Sequence, residues 1–458
     1  MKKINIWLIA LLFWGLTACN IDPAPTPVAP APAAPPSPGT ADFTKFVAVG
    51  NSLTAGFSDN GLFRAGQLVS YPNLLSQRFA LAGGGAFIQP LFTTEQRNGS
   101  GYLELVGLPL PGPVLAPVTN NRAIQRYVDT VVPYSNVSAA DGDDTPIFTQ
   151  FTGPNQNLGV PGLFLGQVTT QGLGFENLTA FNPFFERLVD NATPFTTYAE
   201  YVTTQSAGAT FFTFWLGNND VLFTAASGGL VPSTSVGTFE TSLDAMLDIF
   251  TANGAKGVIA NIPDVTAGAF FKTITEARIL SQVNANRPTG VPAFQDLFIQ
   301  TDGGSRAMGT SDLLLLGSQA NYANIGAGSP FPYGLHPNNP ITTGAVLDSD
   351  EVNAVRNTIA SYNALISTEA TARNLGLVDA FAILNQWAVS GTGASYPLNY
   401  GLTFITGGIA SLDGVHLTPA GNALIANEFL KVINAKFNST FSLINPLNYS
   451  TLANVRYQ

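Results

Sequence analysis

The chain has 458 residues, of which 45% are hydrophobic and only 10% charged, against roughly 25% charged in ordinary soluble proteins, so disorder by composition is excluded and there is ample apolar material for a large core. Its formal net charge is −10 with no basic cluster along the chain, which argues against a nucleic-acid partner, because phosphate binding needs a face rich in Lys and Arg. One cysteine and two histidines leave no internal disulfide and no Cys/His structural zinc site.

At the N-terminus, Lys2 and Lys3 precede an apolar run from Ile4 to Leu16, followed by Thr17-Ala18-Cys19. A basic start, a short apolar stretch and small residues are the layout of a secretory signal. The run of 13 residues falls short of the about 20 that a helix needs to cross a bilayer. The Leu16-Thr17-Ala18-Cys19 ending resembles the lipobox of exported bacterial lipoproteins. That resemblance implies a signal peptide over 1–18, cleavage before Cys19 and a diacylglycerol on its thiol, hence a membrane partner through the lipid anchor. Asn20 in place of Asp after the cysteine favours the outer membrane, on its periplasmic or cell-surface face. Residues 20–40 carry eight prolines and almost no large apolar side chain, so they cannot pack a core. The segment 19–43 reads as a Pro/Ala-rich tether of extended, polyproline-like chain, with a reach of up to ~65 Å at about 3.1 Å per residue.

From Thr44 the texture changes to compact apolar runs separated by helical patterns. Phe46 to Val49 reads as a buried strand ending in Gly50, followed by a helix near 73–82. A strand over 211–216 is followed by a helix near 237–253, and a strand over 257–262 by a helix near 350–374 that opens with Asp348 and Glu351 at capping-box spacing. Leu375 to Phe381 is a fourth strand. The last helix, near 419–436, starts from Thr418 as N-cap with Pro419 at its first position. Strands alternating with helices predict an α/β protein with a mostly parallel sheet covered on both faces. Two segments near 85–205 and 265–345, rich in Gly, Pro, Asn and Phe, break this rhythm and read as insertions that shape a binding surface. The run Asp141-Gly142-Asp143-Asp144 lacks the spacing of a calcium loop and reads as a solvated turn. Residues 438–458 read as a C-terminal extension packed along a domain spanning 44–437.

The first strand runs into Gly50-Asn51-Ser52-Leu53-Thr54-Ala55-Gly56. Ser52 thus stands just past the C-terminal end of a parallel strand, where such sheets bind ligands, with glycines allowing a tight turn. A lone serine beside glycine is more often a loop residue, and no serine in the chain completes the GxSxG nucleophile elbow. Three further segments add to it. The second strand ends in Gly217-Asn218-Asn219-Asp220, bringing an amide to the same edge of the sheet. Asn157-Leu158-Gly159-Val160-Pro161-Gly162 is a second glycine-bearing loop. Asp413-Gly414-Val415-His416 puts a carboxylate and an imidazole on one loop, a spacing that lets the carboxylate fix the ring tautomer while the other nitrogen faces a serine. The other histidine, His336, has no carboxylate in its stretch and is followed by Pro337, which points to a loop role.

In this order the segments resemble the SGNH hydrolases, also called the GDSL esterase/lipase family. GNSLTAG is similar to the family's first block, NLGVPG to the second, GNND to the third and DGVHLTPAG to the fifth, across Thr44 to about Phe437. The resemblance implies a flavodoxin-like three-layer α/β/α sandwich of about five parallel strands. It implies Ser52 as nucleophile, His416 as general base and then acid, and Asp413 as the group that orients His416. It also implies an oxyanion hole made of the Ser52 backbone N–H, a glycine N–H from Gly162, with Gly159 as the competing choice, and the Asn219 side chain, with no cofactor and no metal. Asn51 stands where the family usually has Asp, which keeps a hydrogen-bond acceptor and loses the charge. Asp220 reads as a loop-stabilising residue outside the catalytic set. The expected activity is that of a lipid-anchored serine esterase or lipase working through an acyl-enzyme on small esters, lipid acyl esters or acetylated glycans. The alternatives are a surface lipoprotein that binds lipid or glycan without hydrolysis, and acyl transfer if water is excluded from the acyl-enzyme.

Overall fold

The structure, a computed structural model, describes residues 35–107, 114–125, 146–175, 180–190 and 192–449. The signal segment, Cys19, the Asp141 to Asp144 run and residues 450–458 lie outside them.

The elements that frame the site are, in chain order, strand β1 (Phe46–Gly50), helix α1 (Ser52–Ala55), α2 (Tyr71–Ala80), β2 (Phe211–Trp215), α3 (Asn219–Ala226), α4 (Val236–Thr251), β3 (Lys256–Ala260), α5 (Ala269–Lys272), α6 (Ser349–Ala372), β4 (Gly376–Val378) and α7 (Pro419–Phe437). The four strands form one parallel sheet in the order β1-β2-β3-β4. Side chains alternate across it, as the period of two in a strand requires. Val47, Val49, Phe212, Phe214 and Ile259 share one core with α4 and α6. Phe46, Ala48, Phe211, Trp215, Val258 and Ala260 share the other with α2 and α7. Both faces are thus covered by helices, which is why strands such as FVAVG are apolar without interruption and do not alternate with polar residues. The result is the expected three-layer α/β/α arrangement.

The capping signals act locally. Glu351 accepts the Asp348 N–H at 2.7 Å while Asp348 accepts that of Glu351 at 3.0 Å, and the Thr418 hydroxyl accepts the Gly421 N–H at 2.9 Å, each satisfying donors that a helix start leaves open. Among the described residues no helix is long and apolar enough to cross a membrane.

Two features differ from expectation. Among the described residues the regular sheet has four strands, and the place of a fifth, beside β1, is taken by residues 156–160. They pair with β1 through Ala48 N–H to Gln156 O, Leu158 N–H to Ala48 O and Val160 N–H to Gly50 O, at 2.8, 2.8 and 3.1 Å. Gly159 and Pro161 interrupt this segment, so it pairs like a strand only briefly. In addition, the folded part begins before Thr44. Ser37 and Thr440 exchange hydrogen bonds, the Thr40 N–H reaches Phe437 O at 2.7 Å, and Ala41 and Phe43 are buried beside Phe79 and Phe441. Residues 37–43, read from the sequence as the end of the tether, therefore belong to the folded part, because Phe43 has a core to enter. The extension after α7 packs back through Phe441 and Ile444.

The insertion over 265–345 builds a small core of its own from Ile279, Leu297, Ile299, Leu314 and Ile341. It also supplies α5, whose Phe270 and Phe271 reach the cavity described next. The insertion over 85–205 carries the Asn157 to Gly162 loop.

Candidate active site

β1 ends at Gly50, where a Cβ would fall 2.6 Å from the Trp215 carbonyl and 2.0 Å from the Thr54 hydroxyl, so only glycine fits the approach between the two strands. Asn51 then caps α1, its Oδ1 accepting the Leu53 N–H at 3.3 Å. Asn in place of Asp therefore keeps the cap. Ser52 occupies the first helical position, where a backbone N–H has no intrahelical acceptor, and Gly56 closes the turn at φ +83.

Three residues from two distant segments meet here. His416 Nε2 is 2.8 Å from Ser52 Oγ, and His416 Nδ1 is 2.8 Å from Asp413 Oδ2. The Asp413 carboxylate also accepts the N–H groups of Val415 and His416 and the Ser411 hydroxyl on Oδ1, at 2.8, 2.8 and 3.0 Å. The Asn60 N–H donates to Oδ2 at 2.9 Å. Burial by itself raises the carboxyl, but electrostatic attraction to the His416 ring, the hydrogen bond to it and the backbone donors outweigh burial and hold Asp413 well below the usual carboxylate range. An ionised acceptor at Nδ1 keeps the proton on that nitrogen and leaves Nε2 as the acceptor facing Ser52.

The loop that carries His416 is clamped from outside. The Phe270 N–H of α5 donates to Gly414 O at 2.9 Å, and Gly414 is left-handed at φ +76 with Phe270 N only 2.9 Å from where a Cβ would sit. The Phe57 ring lies 4.7 Å from the imidazole, centroid to centroid.

Of the two candidate glycines, Gly159 gives its N–H to Asn157 Oδ1 at 3.2 Å and packs against α1, with Ala55 N 2.4 Å from where a Cβ would sit. The Gly162 N–H has no acceptor among the described residues, and Gly162 is left-handed at φ +79. Asn219 Nδ2 donates to the Leu163 carbonyl at 2.9 Å, tying the end of β2 to the turn at Gly162. Asp220 accepts from Leu165 N, Gly166 N and the Thr234 hydroxyl at 2.7, 2.9 and 2.7 Å. Burial pushes its carboxyl up to about 6 against those bonds, and its place is that of a support for the same turn. His336 is far from this network, its Nδ1 accepting the Asn338 N–H at 3.1 Å.

Ser52, His416, Asn219 and Asn218 border a cavity of about 770 Å³, open mouth included, whose other walls are mainly apolar, among them Leu222, Val265, Phe270 and Phe271. Ser411, Asn60 and Phe270 were not legible as parts of the site. Ser411 sits two residues before Asp413, which is a weak hint, whereas Asn60 and Phe270 arrive through long-range packing and left no local signal.

The arrangement offers a hydroxyl polarised by an oriented imidazole, with an apolar chamber in front of it. The family model described as GDSL-like Lipase/Acylhydrolase matches residues 46–429. No curated protein matches the chain.

Proposed function

The chain belongs to the GDSL-like lipase/acylhydrolase family, and on that premise we propose that it is a serine esterase that cleaves carboxylic esters through an acyl-enzyme. The observation that carries this reading is the continuous hydrogen-bond chain from Ser52 Oγ through both nitrogens of His416 to Asp413. His416 Nε2 takes the hydroxyl proton as Ser52 Oγ bonds to the ester carbonyl carbon. The resulting oxyanion is met by the N–H groups of Ser52 and Gly162 and by Asn219 Nδ2, donors that need no reorganisation when charge develops. The intermediate collapses, His416 returns the proton to the departing alkoxide, and the acyl group stays on Ser52. Water then attacks the acyl carbonyl carbon with His416 again as base, which releases the acid and restores the hydroxyl. In this reading the substrate's acyl chain lies in the apolar cavity. The protein reaches its substrate as an exported lipoprotein held at the outer membrane by lipid on Cys19, a reading supported by the Leu16 to Cys19 sequence and the proline-rich segment behind it.

The test is Ser52→Ala assayed on nitrophenyl esters of increasing chain length, with a fluorophosphonate probe on the wild type. Removing the nucleophile is expected to lower kcat on the order of 10⁶-fold, and the probe is expected to label Ser52. Near wild-type turnover by a folded Ser52→Ala protein, or labelling at another residue, rejects the proposal.

A further inference from the structure

The loop that carries Asp413 and His416 is held by a tight turn that takes no part in the proton transfers. Residues 58–61 form a two-residue hairpin turn: Ser58 and Gly61 exchange both backbone hydrogen bonds at 2.9 Å, and Asp59 and Asn60 between them are left-handed, at φ +50 and +62. Apart from glycine, Asp and Asn are the residues that best tolerate this conformation. Ser58, Asp59 and Ser411 are enclosed, each at most 1% exposed. The Leu103 N–H fixes the turn by donating to Asp59 O at 2.7 Å.

Four hydrogen bonds join this turn to residues 411–417. Ser58 Oγ donates to Leu417 O at 3.0 Å, the Asp59 N–H donates to Ser411 Oγ at 3.1 Å, Asp59 Oδ1 accepts the Leu412 N–H at 2.7 Å, and the Asn60 N–H donates to Asp413 Oδ2 at 2.9 Å. Ser411 passes its contact on, since its hydroxyl donates to Asp413 Oδ1. The loop is thus gripped at both ends and at its carboxylate, and every grip comes from the stretch 52–60 that begins with the nucleophile and includes Phe57 against the imidazole. Leu412 is buried, and its N–H has no acceptor other than Asp59 Oδ1 among the described residues. A buried N–H left unmet keeps its full desolvation cost. Without that oxygen the backbone beside Asp413 shifts until Leu412 N finds another partner, and Asp413 shifts with it.

We propose that Asp59 is a positioning residue for ester hydrolysis: its carboxylate holds the backbone at Leu412, its N–H holds Ser411, and through both it aims Asp413 at His416. The inference rests on the serine-esterase reading for the roles of Asp413 and His416. Asp59 does not line the cavity; its effect is transmitted through the loop.

The experiment compares Asp59→Gly with Asp59→Asn. Both replacements accept left-handed backbone, so the turn is kept, but only asparagine keeps a side-chain oxygen for the Leu412 N–H. Asp59→Gly is expected to lower kcat on nitrophenyl butyrate by roughly 10- to 100-fold, the upper figure being what a displacement of about 1 Å can cost, and Asp59→Asn is expected to be at least about fivefold faster than the glycine variant. KM is expected to stay within about threefold of wild type, because His416 is the base in both acylation and deacylation and the two steps slow together. Nitrogen NMR of the two imidazoles is expected to show His416 protonated on Nδ1 in the wild type and a mixture of tautomers in Asp59→Gly. If the glycine variant does not fold, Ser411→Ala decides, since it keeps the Leu412 bond and cuts the link from Asp59 N to Asp413; it is expected to lower kcat by about tenfold at unchanged KM. A folded Asp59→Gly protein with kcat within about threefold of wild type overturns the proposal, as does an equal loss in the glycine and asparagine variants or, where the glycine variant does not fold, an unchanged kcat in Ser411→Ala. A wild type that hydrolyses no ester, yet whose His416 tautomer is fixed and becomes mixed in Asp59→Gly, supports the positioning role and overturns the serine-esterase reading.

Discussion

Replacing Asp413 by Asn exchanges one carboxylate oxygen for an NH₂ group and is expected to disable the base without moving the backbone. Oδ1 of Asp413 serves three donors, Ser411 Oγ, Val415 N and His416 N, while Oδ2 serves two, Asn60 N and His416 Nδ1. The single carbonyl oxygen of an asparagine is therefore drawn to the three-donor side, which turns its NH₂ toward Asn60 and the imidazole. His416 Nδ1 must then accept, its proton moves to Nε2, and Nε2 presents N–H to Ser52 where a lone pair is required. The same inversion of tautomer in a serine hydrolase triad lowers kcat on the order of 10⁴-fold, and that loss is expected here at neutral pH with nitrophenyl butyrate in a stopped assay. The NH₂ facing the Asn60 N–H also forfeits that exposed hydrogen bond, at a cost of about 0.5–1.5 kcal/mol, to be read from urea unfolding. The sign of the pH effect follows from the depressed carboxyl. Its stabilising contribution is complete above the unfolded value near 3.9 and is lost as pH falls toward the lower folded value, so wild type and variant should converge in stability in strong acid. A folded Asp413→Asn protein within tenfold of wild-type kcat refutes the tautomer argument.

His416→Ala is expected to lower kcat by roughly 100- to 10,000-fold, whereas His336→Ala, remote from Ser52, is expected to stay within about threefold; the reverse ranking in two folded proteins reopens the site assignment. Asn219→Leu removes the proposed oxyanion donor and strands the Leu163 carbonyl, so a loss of about 100-fold or more in kcat and a lower melting temperature are expected together, and an unchanged kcat rejects its role. Cys19→Ser is expected to release the protein from membranes, while a chain lacking residues 1–34 is expected to stay soluble and active; undiminished membrane association of the serine variant counts against the lipid anchor.

Most of the fold was legible because it is written in short-range terms. The β-branched and aromatic run of β1, the apolar strand FFTFW, the capping box at Asp348 and Glu351, and the Thr418-Pro419 start each depend on a few consecutive residues, and those elements begin and end within a few residues of where the pattern puts them. The Asp413 to His416 pair was legible for the same reason, since both partners lie on one short loop. Ser52 and Asn219 were visible as strand-end residues, a property of the β1 and β2 sequences themselves.

What the tertiary structure alone decided are the contacts between segments that the chain keeps apart. Gly159 and Gly162 share one loop and one residue type; they are told apart by the Asn157 side chain, which takes the first N–H, and by α1, which presses against it. The Asn60 N–H reaches Asp413 across 353 residues, and Phe270 clamps Gly414 from within an insertion. Phe43 belongs to the core and not to the tether because Phe79, Phe211 and Phe441 happen to enclose it. Periodicity and capping report the free energy of neighbours along the chain, whereas which donor meets a buried carboxylate is set by how whole layers pack. No local pattern carries that information.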